Sequence, residues 1–164
     1  MSPPEIRQNK ESAMSNIVSA NQLESFVGQE ISISEWIHVE QNRIDLFADA
    51  TGDHQYIHVN PKRAAETPFG TTIAHGFLSL SLLASMNGGL KLENTVMGIN
   101  YGLDKVRFLS PVKVGAKIRG RFTLISAEEK KPQHFLLKHN IVVEIEGEEK
   151  PALIADWLGM TVVN

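Results

Sequence analysis

Gly76-Phe-Leu-Ser-Leu-Ser-Leu-Leu-Ala-Ser-Met-Asn87 is the stretch on which the fold turns. It carries no charge on any face, and a helix that is uncharged all round belongs inside a protein. Gly76 opens it. Gly88-Gly89 closes it, since glycine adopts the left-handed conformation that ends helices. From Gly76 to Asn87 the helix would be roughly 18 Å long. Downstream the pattern changes to the two-residue rhythm of strands. Lys105 to Leu109 alternates until Pro111 limits it. In Lys117 to Ile125, residues Ile118, Phe122 and Leu124 face one way and Lys117, Arg119, Arg121 and Thr123 the other. Phe135, Leu137, Ile141, Val143 and Ile145 share one parity, and Leu153 to Val163 is apolar on both faces. Short loops such as Gly147 to Pro151 favour antiparallel neighbours. One buried helix and a run of such strands predict an α+β domain, its antiparallel sheet wrapped around the long central helix. The apolar last strand predicts a buried edge, hence an oligomer.

Working outward to the N-terminal side, residues 1–20 are polar and aperiodic, which predicts a flexible extension. Residues 21–164 then form a single domain, a size that suits a chain of 164 residues with 42% hydrophobic composition. A short helix is expected from Asn21 to Val27, a strand from Ile31 to Val39, and a helix from Asn42 to Ala50 that Gly52 stops. Gly52 to Val59 is non-repetitive. Asn60-Pro61 opens a further short helix: Asn caps free backbone N–H groups, and proline at the first helical position gives up an N–H that would be unpaired anyway.

Composition narrows the function. A net charge of -3 and a pI near 6.1 give no broad attraction to nucleic acid or to an anionic membrane. With no cysteine, disulfides, thiolate nucleophiles and cysteine metal sites are excluded. No apolar run reaches the length of a membrane span, and the first twenty residues lack the apolar core of a signal peptide. A cytoplasmic protein is expected.

The densest polar segment lies beside the apolar helix: Ala48-Asp-Ala-Thr-Gly-Asp53-His54-Gln55-Tyr56-Ile57-His58-Val59-Asn60-Pro61, followed by Phe69-Gly70-Thr-Thr-Ile-Ala-His75-Gly76. It joins a carboxylate, an imidazole and a glycine at the mouth of a buried helix. Adding water to an α,β-unsaturated thioester needs that set. A base takes a proton from water, an acid delivers one to the α-carbon, and a donor holds the enolate-like oxygen. Asp and His are suitable proton carriers. Free amides at a helix N-terminus can hold an oxyanion, and Gly76 leaves that backbone open to substrate.

The same residues resemble the motif of the MaoC-like dehydratases, or (R)-specific enoyl-CoA hydratases (hydratase 2), nearest to the nodulation-protein-N-like single-domain members. The matching features are Gly52-Asp53, His58, Asn60-Pro61, Ala64, Phe69-Gly70 and Ile73-Ala-His-Gly76. The segment Gly98 to Val112 resembles the strand that follows in that family, and the likeness covers about residues 21 to 164. The resemblance implies a hotdog fold, a homodimer, and a tunnel for an acyl thioester carried by coenzyme A or acyl carrier protein, with no cofactor. It assigns Asp53 and His58 to the catalytic water and the Gly76 amide to the thioester carbonyl. Gln55 and His75 are further candidate substrate-binding positions, and a helix-start histidine such as His75 also reads as one that packs or hydrogen-bonds locally. Many members carry Asn where this chain has Gln55. The reaction implied is reversible hydration of trans-2-enoyl thioesters to (R)-3-hydroxyacyl thioesters.

Other readings stand beside it. His54 and His58 at i, i+4 with Asp53 adjacent suggest a metal site, but Gly52 and Asn60-Pro61 break the helix such a site needs, and none is expected. Ser79, Ser81 and Ser85 lack a Gly-x-Ser-x-Gly elbow, so a serine hydrolase is not expected; serines in such a helix bond back to its carbonyls. A hotdog acyl-CoA thioesterase resembles its relatives in carrying an acidic residue on or beside the central helix, and Phe77 to Asn87 has none. A non-catalytic acyl-thioester-binding module is the remaining alternative. Lys105, Arg107, Lys113, Arg119 and Arg121 read as a solvated sheet face, with phosphate pairing open to some of them.

Overall fold

The computed structural model describes residues 17–86 and 90–164. In chain order they form strand β1 (Ile17–Val18), a 3-10 helix (Ala20–Phe26), β2 (Glu30–Ile33), β3 (Ile37–His38), α1 (Gln41–Thr51), α2 (Tyr56–Val59), α3 (Pro61–Ala64), α4 (Gly76–Ser81) running on as a 3-10 turn (Leu82–Ser85), β4 (Lys91–Leu92), β5 (Thr95–Phe108), β6 (Lys117–Lys131), β7 (His134–Ile145) and β8 (Leu153–Val163). The large sheet is antiparallel with the order β2-β6-β7-β8-β5, and β3 also pairs with β6.

The alternation read in β6 and β7 is the alternation observed. Ile118, Phe122, Leu124, Leu137, Ile141 and Val143 are buried, while Arg119, Arg121 and Thr123 are half-exposed on the other face. Leu78, Leu82, Leu83 and Met86 of the central helical segment press into that inner face. Gly120 permits the approach: a Cβ there would lie 2.7 Å from the Phe122 ring and 2.8 Å from Met86 Sδ. Arg119 and Arg121 share Glu144 on the outer face, and Arg121 also grips Glu30 with paired 2.9 Å hydrogen bonds. The basic residues of β6 thus stitch strands together.

Several expectations shift. The central helix is one-sided: Phe77, Ser81, Ala84 and Ser85 face outward because the sheet covers only one side. Its second half tightens to 3-10, with Met86 N–H donating to Leu83 O at 3.2 Å. Ser81 and Ser85 do bond back to helix carbonyls, at 2.7 and 2.8 Å. The closing Gly88-Gly89 lies outside the described residues. The strand expected over Ile31 to Val39 breaks into β2 and β3, with Ser34 between them accepting from Gly120 N–H at 2.9 Å. Of the extension expected over residues 1–20, residues 1–16 lie outside the described set; β1, which follows them, pairs in parallel with β4, and Val18 is buried. Among the described residues no helix is long and apolar enough to cross a membrane.

Candidate active site

The site begins where α1 ends. Gly52 takes φ 78° and its N–H caps Ala48 O at 2.8 Å, so the chain reverses and delivers Asp53 to the surface beside the helix end. The Asp53 carboxylate accepts from the Gln55 backbone N–H at 3.3 Å, a local turn that fixes the next residues. Gln55 then starts α2, the single helical turn carrying His58. Asn60 caps α3 as expected, its side chain accepting from Arg63 N–H at 3.0 Å.

His58 is buried, and its Nδ1–H donates to the Ile73 carbonyl at 2.7 Å. A carbonyl can only accept, so the neutral ring keeps its lone pair on Nε2. Burial, chiefly, holds His58 below the ordinary histidine pKa, with the neighbouring His75 adding to the effect. At neutral pH it is therefore an uncharged base. His75 stacks on it, ring centres 3.8 Å apart, and donates from Nε2 to the Asp53 carbonyl oxygen at 2.9 Å; Phe47 packs against its other side.

Asp53, His58 and His75 each offer a ligand atom, all within 4.8 Å of one another. A water hydrogen-bonded to both an Asp53 oxygen and His58 Nε2 needs about that separation or a little more. His58 and Gly76 line a cavity of about 310 Å³, together with Phe69, Ala74, Ser79 and Phe108. Gly76 starts α4, where first-turn amides have no partner within the helix. A Cβ at Gly76 would meet the Phe108 ring at 3.0 Å, so glycine lets wall and helix start lie in contact.

Asp53, His58, His75 and Gly76 are thus brought together. Gln55 is exposed and engages the site through its backbone, its carbonyl accepting from His58 N–H at 2.9 Å. Gln41 on α1 went unread: its side chain donates to His58 O at 2.7 Å and accepts from buried Thr72 at 2.5 Å, tying the two halves of the site together. A glutamine on an amphipathic helix gives no signal of that role.

Residues 22–144 match the model of the MaoC like domain family. The chain is 56% identical over 137 residues to Nodulation protein N of Rhizobium leguminosarum bv. viciae, covering 82% of this chain and 85% of that protein. It is 42% identical over 144 residues to 3-hydroxyacyl-thioester dehydratase Z of Mycobacterium tuberculosis, covering 87% and 95%. Among solved structures it is similar to the (R)-hydratase from A. caviae involved in PHA biosynthesis, with TM-score 0.67, 23% identity, and coverage of 81% of this chain and 94% of that one. That likeness identifies the architecture as the hotdog fold.

Proposed function

The chain belongs to the MaoC-like dehydratase domain family, and from that premise we propose that it is a hydro-lyase interconverting trans-2-enoyl thioesters and (R)-3-hydroxyacyl thioesters. The observation that carries the reading is the Asp53–His58 pair, with a free Nε2 lone pair, beside the pocket that Gly76 opens.

In the hydration direction His58 Nε2 removes a proton from water held between the two side chains. The hydroxide oxygen bonds to the β-carbon, the carbon–carbon π pair moves toward the thioester, and charge grows on the carbonyl oxygen. The Gly76 amide holds that charge. The proton gained by His58 passes to the Asp53 carboxylate, which delivers it to the α-carbon, so both groups return to their starting state. His75 holds Asp53 through its backbone and His58 through stacking.

The working unit in this proposal is a homodimer. β5 ends the large sheet, and along it Val96, Met97, Ile99 and Tyr101 are 46–63% exposed. A long open apolar edge is a pairing surface, and a second copy is the natural occupant. Coenzyme A or acyl carrier protein carries the acyl group, and a cytoplasmic setting belongs to the same proposal, resting on a chain without cysteine.

Crotonyl-CoA, followed by loss of enoyl-thioester absorbance with a parallel thiol assay, tests the reaction. Absorbance loss without thiol release, yielding (R)-3-hydroxybutyryl-CoA, is expected. Stoichiometric release of thiol identifies a thioesterase instead, and binding of short and long enoyl thioesters without turnover identifies a non-catalytic module.

A further inference from the structure

The pocket of about 310 Å³ holds one polar side chain that the mechanism above does not use. Ser79 lines it together with His58 and Gly76, and is only 3% exposed. The neighbouring serines of the same helical segment give their hydroxyls to backbone: Ser81 donates to Phe77 O at 2.7 Å and Ser85 to Leu82 O at 2.8 Å. Ser79 does not follow them. Its backbone N–H donates to His75 O at 3.2 Å, but among the described residues its hydroxyl has no partner. Nδ1 of His75 and Nε2 of His139 also lack partners among the described residues, and both of those atoms are sealed in; the Ser79 oxygen is not sealed and keeps surface open to the pocket. Leaving a buried hydroxyl unpaired costs free energy, and native structures usually give such a group a partner. Whatever occupies the pocket is the partner left to it.

Helix geometry says which part of an occupant that is. Ser79 follows Gly76 by three residues, so the two lie on one face of the helix. A helical side chain leans toward the N-terminus, which carries the Ser79 hydroxyl back over the turn that Gly76 begins. The Gly76 amide and the Ser79 hydroxyl therefore converge on one end of the pocket. A carbonyl oxygen there can accept two hydrogen bonds, and the Gly76 amide supplies one. The attacking water is the poorer partner, because a donor aimed at it would draw on the lone pairs that must reach the β-carbon.

We propose that Ser79 is a further catalytic residue, its hydroxyl donating a second hydrogen bond to the thioester carbonyl oxygen beside the Gly76 amide. This rests on the hydro-lyase reading above and deepens it. The bond strengthens as the π pair moves toward the thioester and charge grows on that oxygen, so it acts on kcat more than on binding. The proton stays on Ser79 throughout, and no covalent bond to the serine forms.

Two readouts on the full chain test this. The first is hydration of crotonyl-CoA. Ser79→Ala should lower kcat about a hundredfold with KM within about threefold, and Ser79→Thr, which keeps a hydroxyl, should recover most of the rate. Should Ser79→Ala fail to fold, Ser79→Cys, a weak donor of similar size, takes its place. The second readout needs no turnover: the infrared carbonyl stretch of bound butyryl-CoA labelled with carbon-13 at the thioester carbon, a saturated ester that takes up no water. That stretch should move to lower frequency on binding to the wild type, move less in Ser79→Ala, and return toward the wild-type position in Ser79→Thr. A serine that only packs would leave it alone. Unchanged kcat in folded Ser79→Ala overturns the proposal, as does a carbonyl stretch that is the same with and without the hydroxyl. A Ser79-dependent stretch found together with no hydration of crotonyl-CoA by the wild type would count against the hydro-lyase reading alone.

Discussion

At His58 a backbone hydrogen bond decides which ring nitrogen is left as the acceptor. Donation from Nδ1 to Ile73 O leaves Nε2 as the acceptor facing the site, and burial keeps the ring uncharged at neutral pH. Asp53→Asn and His58→Gln should each lower kcat about a hundredfold with little change in melting temperature, the usual contribution of a general acid or base. Because the His58 pKa lies below 6.5, the acid limb of kcat/KM should fall below pH 6.5, and an acid limb above it would remove His58 as the base. His139 makes a separate, pH-linked contribution to stability. Its pKa is about 4 folded against 6.5 unfolded, so the unfolded chain binds the proton more readily. Its stabilisation is complete above pH 6.5 and is lost as pH falls toward 4, by at most roughly 3 kcal/mol. Urea unfolding at neutral and acid pH should show the loss in the wild type and a smaller one in His139→Leu. Asp53, His58 and Gly76 were legible because their chemistry needs irregular spacing around glycines. Gln41 was not, because its importance lies wholly in partners distant along the chain, His58 and Thr72.

At the scale of elements, packing between helix and sheet decides more than propensity. Gly120 is the sharpest case, since any side chain there must displace both Phe122 and Met86. Gly120→Val should destabilise by about 1–3 kcal/mol, the usual effect of overpacking, read from urea or thermal unfolding; an unchanged midpoint would mean that the helix end yields without resistance. The strict alternation of β6 and β7 made them readable, because one face of each meets the core. By alternation β5 was readable only from Lys105 onward, and the family resemblance reached back only to Gly98. Its first half takes its conformation from pairing with β8, Thr95 opposite Val163 through to Leu103 opposite Trp157, and not from any pattern of its own. The expected strand from Ile31 to Val39 failed for a similar reason, since both of its halves pair with different stretches of β6.

For the whole molecule, the open β5 edge and the outward face of the central helix leave apolar surface that a lone chain does not cover. Light scattering should report a dimer. Met97→Glu combined with Tyr101→Glu should shift it toward monomer, because charges along a strand edge oppose pairing; a double variant that stays dimeric would place the interface elsewhere. The sequence spoke of an oligomer through its apolar β8, yet β8 lies between β7 and β5, and the edge belongs to β5. The β1–β4 pairing has one more consequence. β1 binds the chain at Lys91–Leu92, and Asn164 N–H donates to Asn94 O at 3.1 Å, so the first described strand and the last residue meet on one short segment. Among the described residues, Ile17 and Asn164 are thus brought to the same place in the fold. A circular permutant joining these ends through a short linker, opened in the exposed turn between β7 and β8 around Gly147, would keep every contact of the Asp53–His58 site while presenting its new termini well away from that site in the chain.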